Sequence, residues 1–366
     1  MGRVLNAKRY RHLTFTYEKD NVRCFCKVIT TEHEAKIELA GYDTIKPFYR
    51  VPERISIDTD KKGRVVIVYE FVPGIGRDRG LFLDLINRSY SSNFSELKCF
   101  VDELTQHYFS VFSRTMQLRE KEKRNTKLFE DRIKKAGLVD SYYRARTLAI
   151  SDGPQSITIA ELCEYDVVIN GRYYRFDWQV CINTLKRHFE GLGETWTVIS
   201  QGDPTEINIA YPLLWLDFDN AGFNALLGEF AIFCWDTYVF GGYLVPTYSS
   251  KVVLDHPATF NYVSLNRPKV RTFNIDREAR VVTIDYVVDL TSCRRMILNA
   301  YWERVIKPIV EQRFSTGWER EFANYLSLRI IGVYDIFKME REDLAFCLAK
   351  LIEVQRQDLT WQEIFI

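Results

Sequence analysis

The chain of 366 residues carries 50 Lys and Arg against 49 Asp and Glu, a formal charge of +1 that removes any electrostatic case for bulk nucleic-acid binding. With 46% hydrophobic and 27% charged residues it has the composition of a globular protein long enough for two or three packed units, which excludes disorder, collagen and coiled coil. The one excess is aromatic: 24 Phe, 21 Tyr and 7 Trp predict large filled cores or an aromatic-lined pocket.

The first twenty residues are positively charged but hold no apolar run of signal-peptide length before Glu18 and Asp20, so no secretion is expected. Residues 13 to 29 read as a hairpin, two β-rich runs joined by a Lys-Asp-Asn turn. Residues 32 to 45 place Ala35, Leu39 and Tyr42 at helical spacing, with Glu34 and Glu38 one turn apart on a neighbouring face. Two more strands follow, in RVPERISID and GRVVIVYEFV, and Pro73-Gly74 ends the segment. The first 75 residues are therefore expected to form a small sheet with one helix.

From Leu81 to about Arg146 the pattern is helical, and the charge-dense run from Arg119 to Lys135 reads as a solvated helix face. Residues 157 to 178 predict a second hairpin around the strong Asn170-Gly171 turn signal. A helix over roughly Val180 to Glu190, a third hairpin near 270 to 290 and two or three C-terminal helices complete the chain. The most apolar stretch, Tyr211 to Val245, is broken by Asp217, Asp219, Glu229 and Asp236, so no uncharged window is long enough to span a bilayer. Eight scattered cysteines lack the pairing that a zinc site or disulfide framework needs and predict free thiols in a reducing cytoplasm. The five histidines are not grouped, so metal held by imidazole is not expected.

The chemistry is concentrated in residues 197 to 222, TVISQGDPTEINIAYPLLWLDFDNAG. Two apolar strands each deliver a carboxylate at the C-terminal end, and an amide side chain follows the first after five residues, so a short hairpin gathers Asp203, Asn208 and Asp217. Oxygen donors from Asn208 and Asp217 suit Mg²⁺, which takes its remaining ligands from waters and phosphates. Asp203 stays free to meet a hydroxyl proton. That division of labour is what phosphoryl transfer requires. Each of these residues alone reads more simply as a turn or strand-edge group. Together they do not, because an acid between Trp215-Leu216 and Phe218 needs a partner to offset burial.

The pattern Gln201-Gly202-Asp203, Asn208 and Leu216-Asp217-Phe218-Asp219 resembles that of the aminoglycoside phosphotransferase and choline kinase group, small-molecule kinases with the protein-kinase fold. The resemblance implies an α+β, bilobal chain, with residues 1–75 as the ATP-covering lobe and 76–366 as a mainly helical catalytic and substrate lobe. It implies ATP and Mg²⁺ as cofactors, with Asp203 as the catalytic-loop aspartate, Asn208 and Asp217 as metal ligands and Asp219 in a supporting role. Lys27 would be the strand lysine on the α- and β-phosphates, and Glu38 its helix partner, with Glu34 as the fallback. Backbone groups near Glu70 and Val72 would bind adenine at the hinge. The helical insert near 90 to 150 and the late hairpin have no counterpart in the resemblance.

Two departures matter. Gln201 replaces the histidine of the family pattern, a side chain whose hydrogen bonds an amide can imitate. No glycine-rich loop precedes Lys27, and Gly74, Gly76 and Gly80 follow the hinge at the wrong spacing, so phosphate contacts would fall to the Lys19 to Val22 turn or to basic residues near 8 to 11. The leading expectation is a kinase for a hydroxyl of a small molecule such as an aminoglycoside, another antibiotic, a sugar-like metabolite or an amino alcohol, acting as a monomer or homodimer without nucleic acid or membrane. The alternative is a catalytically weak pseudokinase, a nucleotide sensor or partner-binding module, and phosphorylation of a protein side chain ranks last. Glu229 and Asp236 with Trp235, Tyr238 and Phe240 could line a site for a cationic acceptor, although the same residues also read as a core helix.

Overall fold

The computed structural model describes residues 3–9, 13–19, 22–71, 80–91, 94–144, 148–356 and 358–365. The N-terminal part is a five-stranded antiparallel sheet made of β1 (Arg3–Arg9), β2 (Leu13–Lys19), β3 (Val22–Ile29), β4 (Arg54–Thr59) and β5 (Val65–Glu70), in the order β1-β2-β3-β5-β4. Four of these strands are the expected ones. The fifth, β1, is an addition that pairs from Arg3 opposite Glu18 to Arg9 opposite Leu13. An edge strand bonds one neighbour's backbone and leaves its other side to solvent, so a charge-rich composition is no bar.

The helix α1 (Glu32–Ile45) crosses between β3 and β4, and its N-cap Thr31 accepts a hydrogen bond from the Glu34 amide at 3.2 Å. Gly41 decides how closely α1 can approach the other half of the chain. A Cβ there would lie 2.1 Å from the Phe218 carbonyl oxygen, so only glycine allows this contact. Phe218 in turn packs against both Tyr42 and Tyr69, with ring centroids 5.2 and 5.8 Å away. These contacts hold the sheet and its helix against the segment that carries Asp217.

The remainder opens with the short strand β6 (Gly80–Leu81), then α2 (Phe82–Ser89) and α3 (Ser95–Thr115). The expectation of helix as far as Arg146 fails beyond α3. The chain runs instead through β7 (Gln117–Arg119) and two short helices, α4 (Glu130–Ile133) and α5 (Leu138–Tyr143). Nor is the charged run a solvated face throughout: the Arg124 guanidinium is buried against Glu130 at 3.0 Å and donates to the carbonyls of Leu192 and Gly193. A run without an apolar stripe has no helix face to bury, and here Arg124 is spent on tertiary partners while Glu120, Glu122, Lys123, Lys134 and Lys135 stay exposed as the charge density predicts.

The second hairpin is also shorter than expected. β8 (Ala149–Ser151) pairs with β9 (Ser156–Thr158), and the Glu161 carboxylate then accepts from the amide and hydroxyl of Thr158 and turns the chain. Only β10 (Asp166–Ile169) and β11 (Arg172–Arg175) flank Asn170 and Gly171, whose φ values of 49° and 77° are those of a tight hairpin turn. After α6 (Trp178–Gly191) come β12 (Thr195–Ser200), β13 (Ile209–Tyr211), β14 (Leu214–Trp215) and β15 (Gly222–Ala225). β12 lies between β15 and β7, while β13 lies between β14 and β6.

The buried helix α7 (Leu226–Trp235) continues through π-helical turns over Asp236–Leu244 into α8 (Val245–Tyr248), followed by α9 (Ser250–Asp255) and α10 (Phe260–Asn266). The third hairpin, β16 (Lys269–Asp276) and β17 (Val281–Val287), joins β10 and β11 in one sheet, with β17 parallel to β10. Four helical segments rather than two or three close the chain: α11 (Ser292–Tyr301) running through π turns over Trp302–Ile306 into α12 (Lys307–Arg313), then α13 (Trp318–Ile331), α14 (Arg341–Val354) and α15 (Trp361–Phe365). The architecture is α+β and bilobal, a small antiparallel sheet with one helix set on a larger, mainly helical part. Among the described residues no helix is long and apolar enough to cross a membrane.

Candidate active site

The site forms where the sheet meets the loop between β12 and β13. Lys27 on β3 points toward α1, and its Nζ lies 2.7 Å from Glu38 Oε2 and 2.6 Å from Asp217 Oδ1, a residue 190 positions further along the chain. The Tyr69 hydroxyl donates to the other Glu38 oxygen at 3.3 Å. Burial alone would lower the Lys27 pKa, but Asp217 and then Glu38 outweigh it and hold the ammonium above its ordinary value. Burial pushes the Glu38 carboxyl upward, and Lys27 draws it back. Glu34 is not part of this cluster; it takes a hydrogen bond from the Thr31 hydroxyl at the helix start.

Gln201 organises the loop. Its Nε2 donates to the carbonyls of Leu216 at 2.9 Å and Asp217 at 2.5 Å, while its Oε1 accepts from the Asp203 amide at 2.9 Å. One side chain thus ties the segment bearing Asp203 to the one bearing Asp217. Asp217 needs such support, because its backbone sits at φ 59°, a left-handed conformation unusual for a residue with a side chain. Gly202 makes the turn possible: at φ 89°, a Cβ would lie 2.0 Å from the Asn220 carbonyl oxygen.

Asn208 donates from Nδ2 to the Asp203 carbonyl at 2.9 Å, and its own carbonyl accepts from the Leu216 amide at 2.9 Å, beside Asp217. The amide nitrogen is therefore engaged by the loop, so Oδ1 is the atom with which Asn208 could hold a metal, and the Asp217 side chain is 42% exposed. Two hard oxygen donors of this kind fit Mg²⁺, a metal held by one or two protein groups plus phosphate and water. Among the described residues no cluster of three or more His, Cys, Asp or Glu is placed to hold a metal, so a closed all-protein site is not available.

Asp203 faces the other way. Its Oδ1 accepts from Arg329 Nη2 on α13 at 3.2 Å. Burial raises the pKa of this carboxyl, and Arg329 followed by Arg132 pull it back down, with a net rise. Asp219 bonds Lys127, whose Nζ lies 3.1 Å from Oδ2 and 2.8 Å from the Asp219 carbonyl. The Asn125 amide reaches the Asn220 carbonyl at 2.7 Å. The insert thus braces the loop after Asp217.

Below the loop lies a wholly buried knot. Glu206 receives both terminal nitrogens of Arg294, at 2.6 and 2.9 Å, and its amide donates to Asp236 Oδ2 at 2.9 Å. Arg294 also reaches the Thr237 carbonyl at 2.8 Å and the Tyr90 hydroxyl at 3.0 Å. This settles the role of the acids once considered for a cationic acceptor. Glu229 and Asp236 are each 1% exposed, and Trp235, Tyr238 and Phe240 are buried with them, so they belong to the core.

Glu70, expected near a hinge, ends β5 with its amide given to the Glu53 carbonyl at 2.8 Å, while Val72 lies outside the described residues. The Lys19 to Val22 turn and the basic stretch near 8 to 11 fall partly outside them too. Sequence reasoning missed Arg329, Arg132, Lys127 and the Glu206–Arg294 pair. An arginine inside the apolar run Leu326-Ser327-Leu328-Arg329-Ile330-Ile331 was the available signal for the first.

No family model and no curated protein matches the chain. Among solved structures it is similar to a glucosamine kinase in complex with glucosamine, ADP and inorganic phosphate, at 9% identity and a TM-score of 0.42 over 95% of this chain and 92% of that one. It is similar also to a Plasmodium vivax ethanolamine kinase, at 10% identity and a TM-score of 0.42 over 98% and 82% of the two chains. A thermostable mutant of an aminoglycoside phosphotransferase aligns at 12% identity and a TM-score of 0.40 over 73% and 82%. At such values the likeness adds nothing to a functional reading, which rests on the geometry of the site.

Proposed function

We propose that the protein is an ATP-dependent phosphotransferase that moves the γ-phosphoryl group to a hydroxyl of a small molecule. The observation that carries this reading is the Lys27 ammonium held between Glu38 at 2.7 Å and Asp217 at 2.6 Å, with the Asp217 segment tied by Gln201 to the loop that carries Asp203 and Asn208. A buried, permanently charged lysine next to two oxygen ligands and a separate half-buried carboxylate is a set of parts suited to phosphate and to one hydroxyl proton.

Each residue then has one task. Lys27 offers its charge to the nucleotide phosphates, and Glu38 fixes the direction of that side chain, since the Lys27–Glu38 contact spans β3 and α1. Asn208 and Asp217 would hold Mg²⁺, which when bound neutralises phosphate charge. Asp203 accepts a hydrogen bond from the acceptor hydroxyl, orients its oxygen for in-line attack and takes the proton as the new bond to the γ-phosphorus forms and the bond to the bridging oxygen breaks, with ADP leaving on the opposite side. Its raised pKa suits that task, because a carboxyl nearer to neutrality is a better proton acceptor. Gln201 keeps the two carboxylates in register through its three hydrogen bonds.

The test is calorimetric titration of ATP with and without Mg²⁺ on the wild type, Asp217→Ala and Asp203→Ala, followed by ADP release. Binding should need both the metal and Asp217, whereas Asp203→Ala should retain binding and lose turnover by roughly a hundredfold or more. Full activity in Asp203→Ala would remove the assignment. Binding by the wild type without any turnover would favour the nucleotide-sensing alternative.

A further inference from the structure

The acceptor side of Asp203 is built from arginine. Arg329 lies in the last turn of α13, its side chain 5% exposed, with the guanidinium 4.9 Å above the Phe240 ring and one terminal nitrogen on Asp203. Its Nε is buried without a hydrogen-bond partner among the described residues. Arg132, in α4, donates from Nη1 to the carbonyl of Gly332 at 3.1 Å, the residue that caps α13 three positions after Arg329. One guanidinium, that of Arg329, bonds the Asp203 carboxylate, and Arg132, held at the end of the same helix, lies within electrostatic reach of both. The third nearby cation, Lys127, is already paired with Asp219.

This arrangement is unfavourable as it stands. A guanidinium has five N–H donors, and a buried donor left without a partner costs free energy. Burial, and then the Arg329 charge, push the Arg132 pKa down to about 10, with Asp203 opposing them. An anion between the two arginines would satisfy donors and relieve the repulsion. Among the described residues the carboxylates around this group are already engaged: Asp203 by Arg329, Asp219 by Lys127 and Asp343 by the Tyr243 and Tyr248 hydroxyls, while Glu229 and Asp236 are closed inside the core. Phe240, Tyr334 and Tyr248 form an aromatic run on this side, with successive centroids 5.5 and 6.2 Å apart. The arginines thus sit on the helical side of Asp203, whereas Lys27 and Asp217 mark the phosphate side.

Resting on the phosphotransferase reading above, we propose that the acceptor is a hydroxyl compound bearing an anionic group, a carboxylate or a phosphate ester, gripped by Arg132 and Arg329 while Asp203 engages its hydroxyl. The acceptor class is then opposite in charge to the cationic amino compound suggested by the acids and aromatics of residues 229 to 240.

Four probes of one six-carbon framework test this: glucose, glucosamine, gluconate and glucose 6-phosphate, each titrated into protein loaded with Mg²⁺ and a non-hydrolysable ATP analogue. Occupying the γ-phosphate position beforehand keeps the probes out of it, and the two anions separate carboxylate from phosphate recognition. At least one anion should bind about tenfold more tightly than glucose and glucosamine. Arg132→Gln should erase that advantage, Arg132→Lys should restore most of it, and the affinity of the ATP analogue should stay as in the wild type. Tighter binding of glucosamine, or no preference by charge, overturns the proposal. So does a loss of analogue affinity in Arg132→Gln with anion preference intact, which would assign the arginines to the γ-phosphate. If the wild type fails to bind the analogue at all, the phosphotransferase reading falls first and takes this inference with it.

Discussion

Two ion clusters flank the loop from Gln201 to Asp217, and they differ in exposure far more than in chemistry. Above it, Lys27 joins Glu38 and Asp217, and the Asp217 side chain is 42% exposed. Below it, Arg294 joins Glu206 with 0% and 2% of the side chains exposed, and Asp236 adds a backbone contact. A carboxylate open to solvent can trade its partner for a ligand. One with no path to water cannot, so the lower cluster serves as a frame for the upper one.

The largest effect expected from this contrast is in stability. Arg294→Met leaves Glu206 buried beside Asp236 without its cation, and should cost about 3–5 kcal/mol in denaturant unfolding. Asp217→Ala, the variant that should abolish metal-dependent nucleotide binding, should lose no more than about 1 kcal/mol, because the Asp217 carboxylate is open to solvent and the buried Lys27 keeps Glu38 as its partner. Equal losses of stability would break the distinction between frame and working cluster.

A pH experiment sharpens it further. Burial holds the Glu229 pKa up at about 8, with a Ser200 hydrogen bond opposing and the Asp203 charge adding to the rise. The folded state therefore keeps a proton on Glu229 that the unfolded chain gives up near its ordinary value of about 4.3. Between those two values folding binds a proton, so stability falls as pH rises, by about 1.4 kcal/mol per unit at most. The contribution is fully present below about pH 4 and lost by about pH 8. Glu229→Gln should flatten this dependence, and the difference between wild type and variant from pH 5 to 8 should reach about 3 kcal/mol, read by denaturant midpoints. An equal slope in both proteins would mean that water reaches Glu229.

What was legible in the sequence follows from distance along the chain. Gln201, Asp203, Asn208 and Asp217 lie within one strand-loop-strand unit, so spacing alone brought them together. Lys27 and Glu38 were legible only through the family resemblance, whereas α1 spans Glu32–Ile45 as its periodicity predicts. Arg132 was not legible, since it reaches the end of α13 by a tertiary contact that leaves no local pattern, and Arg329 left only the single signal of a charge inside an apolar helical run. The charged run from Arg119 to Lys135 misled for the same reason: composition does not say whether a charge faces water or a partner. β1 was missed because an edge strand needs no apolar alternation, only a backbone to pair with.

The smallest expected effect concerns Gln201, and it asks whether the join between the two carboxylate-bearing segments depends on the amide itself or on its hydrogen bonds. Three bonds of 2.5 to 2.9 Å converge on this side chain, one accepted and two donated. Gln201→Leu keeps the volume but leaves the carbonyls of Leu216 and Asp217 and the amide of Asp203 without that partner, at a cost of about 1–3 kcal/mol. Because Asp217 already sits at a strained φ, the loss should fall on the position of its carboxylate and weaken metal-dependent nucleotide binding about tenfold. Gln201→His offers one donor and one acceptor at a similar separation, so it should keep affinity within about threefold of wild type. If histidine is as damaging as leucine, the loop needs both donated bonds, and Gln201 is a requirement of this chain rather than an exchangeable hydrogen-bonding group.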